Sequence, residues 1–219
     1  MERAARYKAS AIGAAVALTS LLLPLHAKAV TVLNPSFETG TPSYVPTGAD
    51  WTFSYPSGID TGVFFSGSPP DGTQAGFIQT GSNVAGTISQ DLTGFTLGAS
   101  YAVTFYIAGR PGYPADPVTV SLGGTDLGTF TPAFTTFAKV TSSLLVATST
   151  DMTLLFAGSS VGGDIGSAID LVSVDSPAVP EPASGLVLLA GAVMLGSVRR
   201  FRGPTAARPS VTASGASIA

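Results

Sequence analysis

SYAVTFYI, residues 100–107, alternates without a break: Tyr101, Val103, Phe105 and Ile107 fall on one face of an extended chain, Ala102, Thr104 and Tyr106 on the other. Large apolar side chains at a period of two mark a strand with one face in a core, because an amphipathic helix would space them three and four apart. Working outward, PVTVSLGGTDLGTFT (117–131) alternates through Val118, Val120 and Leu122 into Gly123-Gly124 and then resumes. That pattern predicts a hairpin whose turn needs positive φ. Further strands are expected around 30–33, 51–55, 62–65, 75–79, 87–92, 134–146, 153–157 and 168–174. About ten short strands with no convincing helical period predict an all-β domain of two packed sheets over residues 30–176.

The ends have a different character. Arg3, Arg6 and Lys8 precede the apolar run 9–25, and Ala27-Lys28-Ala29 has the small-x-small form of a signal peptidase site, so residues 1–29 read as a signal peptide. After Asp175, SPAVPEP is a proline-spaced connector. Residues 183–198 carry no charge and run into Arg199, Arg200 and Arg202. As a helix this run would reach ~24 Å, and thinning of the bilayer or snorkelling arginines would let it span a membrane with the basic cluster inside. Residues 203–219 are polar and of low complexity, as in a disordered tail.

Inventory then limits chemistry. The one histidine, His26, lies in the expected signal peptide, and there is no cysteine. A Ser-His-Asp triad, a Cys-His dyad, the usual zinc sites and disulfides are excluded from the exported domain. Between Val30 and Ala178 eleven acids stand against two bases, Arg110 and Lys139. So acidic a domain does not suit nucleic acid, which needs a basic surface; cations and neutral ligands fit better.

The tail resembles the PEP-CTERM sorting signal of Gram-negative bacteria. Pro180-Glu181-Pro182, the apolar run and the basic cluster Arg199, Arg200 and Arg202 carry the resemblance over residues 177–202. It implies recognition by an exosortase, transient anchoring in the inner membrane, and delivery to the cell surface or to an exopolysaccharide biofilm matrix. The chain departs from the pattern by continuing to Ala219.

The domain itself resembles the galactose-binding-like jelly rolls, a group that includes carbohydrate-binding modules and DUF642-type domains. LNPSFETG (33–40), SYAVTFYIAGR (100–110) and SAIDLVSVD (167–175) carry that resemblance. Asp170 lies between Ile169 and Leu171 in an apolar strand, where an unpaired carboxylate costs several kcal/mol. With two bases available a cation is a reasonable companion, and hard oxygens suit Ca²⁺. The resemblance implies a structural calcium held by Glu38 and Asp170, with Asp71 a third candidate. The alternative is that Asp170 bonds backbone amides and Glu38 is solvated.

Neutral sugars are gripped by aromatic platforms with a few polar groups. The expected ligand-binding residues are Arg110 and Tyr113 in the loop GRPGYP, with Trp51 and Tyr55 in DWTFSYPSG. A lone Trp in a β-sandwich is more often core, which makes the Arg110 and Tyr113 loop the better candidate, and one of Phe64 and Phe65 is expected to face inward because neighbours in a strand alternate. The sequence thus reads as an exported, exosortase-sorted, non-catalytic β-sandwich that binds carbohydrate. A structural matrix protein without a small-ligand site is the alternative, and a carboxylate-dependent polysaccharide hydrolase the third reading.

Overall fold

The computed structural model describes residues 30–177. The expected signal peptide, the PEP triplet with its apolar run and arginines, and the polar tail lie outside the described residues. Among the described residues no helix is long and apolar enough to cross a membrane.

Among the described residues thirteen strands form two antiparallel sheets, a jelly-roll β-sandwich, as the alternation predicts. The larger sheet orders β1 (Ser43–Tyr44), β3 (Ser57–Asp60), β4 (Ala75–Gly81), β13 (Ile165–Asp175), β7 (Ser100–Gly109) and β10 (Ala138–Thr141). Two short strands join it: β5 (Val84–Ala85) pairs β4, and β11 (Leu145–Val146) pairs β7. The smaller sheet orders β2 (Thr52–Ser54), β6 (Thr87–Thr93), β12 (Asp151–Ala157), β8 (Val118–Leu122) and β9 (Thr125–Phe130). The β8–β9 turn is Gly123-Gly124, both with positive φ, as its sequence demands.

β7 carries the core as read: Tyr101, Val103, Phe105 and Ile107 are buried between the sheets. They meet Ile88 and Leu92 of β6, Val118, Val120 and Leu122 of β8, and Leu154 and Phe156 of β12. Burying each such side chain contributes about 1.5–3 kcal/mol. The segment 33–40 closes one edge of this core. Phe37 is fully buried and stacks on Trp51 with ring centroids 5.1 Å apart, and the Trp51 indole N–H donates to Asn34 O at 2.9 Å. Gln90, on the core face of β6, accepts from Leu33 N and donates to Leu33 O and Asp50 O, so a buried amide fixes that edge.

Three expectations are corrected. Residues 30–33 contribute a single bridge, Val30 to Val174, rather than a strand. Residues 134–146 divide into β10 and β11. Residues 62–65 lie in a loop, so alternation does not apply there: Phe64 and Phe65 are both buried, beneath the loop and against the outer face of the larger sheet.

Candidate functional site

The outer face of the larger sheet is built from small residues where its central strands meet. Ala108 of β7 and Ala168 of β13 are buried there with Ala75 and Phe77 of β4. Phe64 stacks on Phe77 at 4.1 Å, and Phe65 packs on Phe137 at 5.2 Å. A Cβ on Gly166 of β13 would stand 2.9 Å from the Phe64 ring, so glycine is what lets this roof come down.

At the end of β7, Arg110 lies between two rings. Its guanidinium carbon is 4.6 Å from the Phe64 centroid and 3.8 Å from that of Tyr113. Its Nη1 donates to Asp164 Oδ1 at 2.7 Å. Asp164 also accepts from the Gln79 amide, and Gln79 Oε1 accepts from the Tyr44 hydroxyl at 2.7 Å. Burial raises the Tyr44 phenol above its ordinary range, which keeps it a neutral donor. Tyr44 in turn tilts against Tyr55 at 5.5 Å and meets Phe77 edge-on at 4.9 Å. The result is a continuous polar chain, Tyr44–Gln79–Asp164–Arg110, with exposed rings, Tyr55 and Tyr113, at its two ends. A cation held over aromatic faces and fixed by a carboxylate is preorganised, since its rotamer freedom is already lost.

Arg110, Tyr113 and Tyr55, picked from sequence, therefore line one surface. Trp51 does not: it is 5% exposed, covered by Phe37, and belongs to the core. Sequence reasoning missed Tyr44, Gln79 and Asp164. Tyr44 sits in a two-residue strand and Asp164 in the glycine-rich loop before β13, where no periodicity flags a residue.

The three expected metal acids converge on one corner but not on one point. Alternation along β13 places Asp170 on the outer face with Ala168, directly before a bulge between Asp170 and Ser173 that has Leu171 at φ 48°; Asp170 is completely buried there, against the 70–74 loop. Asp170 Oδ2 accepts from Asp71 N at 3.1 Å, whereas Oδ1 is buried without a partner. Glu38 Oε1 accepts from Thr73 N at 2.8 Å and Gln74 N at 2.7 Å; Oε2 has only a 3.4 Å contact with Thr73 Oγ1. The Asp71 carboxylate accepts from Ser36 Oγ at 2.8 Å. Burial pushes the Asp170 carboxyl up to about 7; the Asp71 and Leu171 amides pull it back, and the charges of Asp71 and Glu38 add to the rise. Among the described residues no three acidic, His or Cys side chains are gathered closely enough to hold a metal as they stand. The amide-bonded alternative is realised for one oxygen of Asp170, while Glu38 is bonded rather than merely solvated.

A second buried acid had no signal in sequence. Asp116, in the loop after β7, accepts from Ser159 N at 2.8 Å through Oδ1, and its Oδ2 is 2.7 Å from Thr80 Oγ1. Thr80 Oγ1 is also 2.6 Å from Ser159 O, so a single hydroxyl proton faces two acceptors. A protonated Asp116 resolves this by donating to Thr80, and burial raises its pKa in that direction.

No protein-family model and no curated protein matches the sequence. Solved structures do. A cyclase from Fischerella sp. TAU in complex with 4-(1H-indol-3-yl)butan-2-one is 17% identical over 69% of this chain and 98% of its own, with a TM-score of 0.53. An arabinose-bound α-L-arabinofuranosidase is 14% identical over 70% of this chain and 27% of its own, at 0.51. A carbohydrate-binding module in complex with β-1,4-galactotriose is 15% identical over 67% and 97%, at 0.47. At these identities the first two, with TM-scores above 0.5, establish the fold alone. Their likeness also corrects the expectation of a non-catalytic domain: the same sandwich occurs in a cyclase and in a glycosidase, so a missing His and Cys excludes particular catalytic devices rather than catalysis.

Proposed function

We propose that this sandwich is an exported carbohydrate-binding domain whose contact surface is the outer face of the larger sheet around Arg110 and Tyr113. The observation that carries the reading is the chain Tyr44–Gln79–Asp164–Arg110 bounded by the exposed rings of Tyr55 and Tyr113. Rings offer an apolar platform for sugar C–H faces, and Asp164, about half exposed, offers an acceptor for hydroxyls. The acidic surface of the domain favours neutral over anionic glycans.

A structural Ca²⁺ is part of the same proposal. Asp170 Oδ1 and the weakly engaged Glu38 Oε2 are the oxygens available to it, and a cation would neutralise a carboxylate that no base among the described residues pairs with. The ion would supply charge compensation and tie β13 to the 70–74 loop. Export by the signal peptide, exosortase processing at Pro180-Glu181-Pro182 and delivery to the surface or matrix complete the reading, supported by the sequence of the two ends.

A glycan array probed with the full chain tests the binding. Neutral glycans are expected to bind, and Arg110→Ala to weaken them about tenfold, or ~1.4 kcal/mol. An array with no signal favours the matrix protein without a ligand site. Fractionation of cells expressing a Pro180–Pro182 deletion tests sorting, with retention in the membrane as the expected outcome.

A further inference from the structure

The loop that roofs the sheet presents a different surface on each side. Phe64 turns toward Arg110, 4.6 Å from its guanidinium, whereas Phe65 turns the other way onto Phe137 at 5.2 Å. On the Phe65 side lies a pocket of about 440 Å³ that the sequence did not suggest. Tyr106 of β7 forms its floor; Thr136 and Phe137 stand on one side, Ser66, Ser68 and Pro70 on the other. Its size falls in the lower part of the range for small-ligand sites.

The two walls are tied to each other and to the sheet. Ser66 N donates to Thr135 O at 2.7 Å at one end of the loop, and Asp71 N donates to Asp170 at the other. Tyr106 is the register partner of Asp170 on β13 and of Lys139 on β10, so the floor is central sheet rather than mobile surface. A site whose walls are fixed before binding loses less on ordering.

The lining selects a ligand class. Four hydroxyls, those of Ser66, Ser68, Tyr106 and Thr136, are arranged with the apolar surfaces of Phe137, Pro70 and the Tyr106 ring, and no ionised side chain lines the pocket. An anionic ligand would find no counter-charge within the lining; Lys139, the register partner of Tyr106, is exposed on β10 outside it. A neutral ring with one apolar face and an edge of hydroxyls can satisfy both kinds of surface.

From these observations we infer a second, separate sugar site: the pocket over Tyr106 holds one neutral pyranose ring, on the far side of Phe64-Phe65 from the Arg110 surface. It rests on the carbohydrate reading above, and it makes the outer face bivalent toward a neutral polysaccharide.

The test is an NMR titration of the full chain with methyl β-D-glucopyranoside, methyl β-D-galactopyranoside and sodium D-glucuronate. At least one methyl glycoside is expected to shift the amides of Ser66–Ser68 and Thr136, with glucuronate at least tenfold weaker. Ser68→Trp, at an exposed position, fills the pocket and should weaken those shifts at least tenfold, whereas Tyr113→Ala, outside the pocket, should leave them in place. Shifts confined to the Arg110–Tyr113 side would overturn this pocket and leave the carbohydrate reading standing. Binding of glucuronate as tight as that of the glycosides would overturn the neutral class. No shift with any sugar would overturn both readings.

Discussion

The two faces of the larger sheet are built on opposite rules. The inner face of β7 is closed at every second residue by Tyr101, Val103, Phe105 and Ile107, with the other sheet pressed on all of them. The outer face of the sheet sets alanine, glycine and polar residues around Phe77 and Tyr106, and it is covered piecemeal by a loop that leaves exposed tyrosines, a pocket and a buried carboxylate with a bare oxygen. The difference separates stability from recognition: one face has nothing left to satisfy, and the other has groups still waiting for a partner.

Substitutions should divide along that line. Phe105→Ala opens a cavity in the inner face and is expected to cost about 3–5 kcal/mol in denaturant unfolding, without altering the outer face directly. Next in size is the pH response of the chain in chelator. The folded Asp170 carboxyl titrates near 7 against an ordinary 3.8, so the folded state holds its proton more tightly than the unfolded one. Its contribution is therefore full below about pH 4 and is lost as pH rises to about 7, on the order of 4 kcal/mol at most, with Asp116 acting in the same direction. A melting midpoint that rises over this range in chelator would contradict the assignment of an uncompensated carboxylate.

Calcium should reverse that slope, because it favours the ionised form. At a hundredfold excess over its Kd it is expected to add about 2.7 kcal/mol, and Asp170→Asn should abolish the gain. An unchanged melt with and without Ca²⁺ would leave Glu38 and Asp170 as ordinary carboxylates. The smallest effect is expected at the acid whose oxygens are both engaged. Asp116→Asn can donate to Thr80 in place of the protonated acid, so a loss below about 1 kcal/mol is expected by calorimetry. A large loss there would mean that Asp116 is ionised.

These contrasts also explain what the sequence made legible. The inner face was readable because both sheets bury one side of each strand, and alternation in SYAVTFYI reports that directly. Asp170 was readable because it interrupts an apolar strand; its bare oxygen was not, since that depends on the 70–74 loop a hundred positions earlier in the chain, a separation of 99 residues. Asp116 was invisible, its partners lying 36 and 43 residues away in other elements. Trp51 offered itself as a platform, but Phe37 reaches over it from a segment whose turns, with positive φ at Asn34 and Phe37, carry no periodicity. Residues 62–65 were read as a strand, in which alternation would turn only one of Phe64 and Phe65 inward. A loop instead buries both, Phe64 on Phe77 and Phe65 on Phe137, where alanine and glycine on the sheet leave room for it.

Whether the outer face is the one that meets a ligand can be asked of the full chain by hydrogen exchange with and without a soluble neutral polysaccharide such as galactan or xylan. Protection is expected to concentrate in 61–70, around Arg110–Tyr113 and near Asp164, with the smaller sheet unchanged. Protection confined to the exposed side of β8 and β9, or none at any concentration, would contradict it.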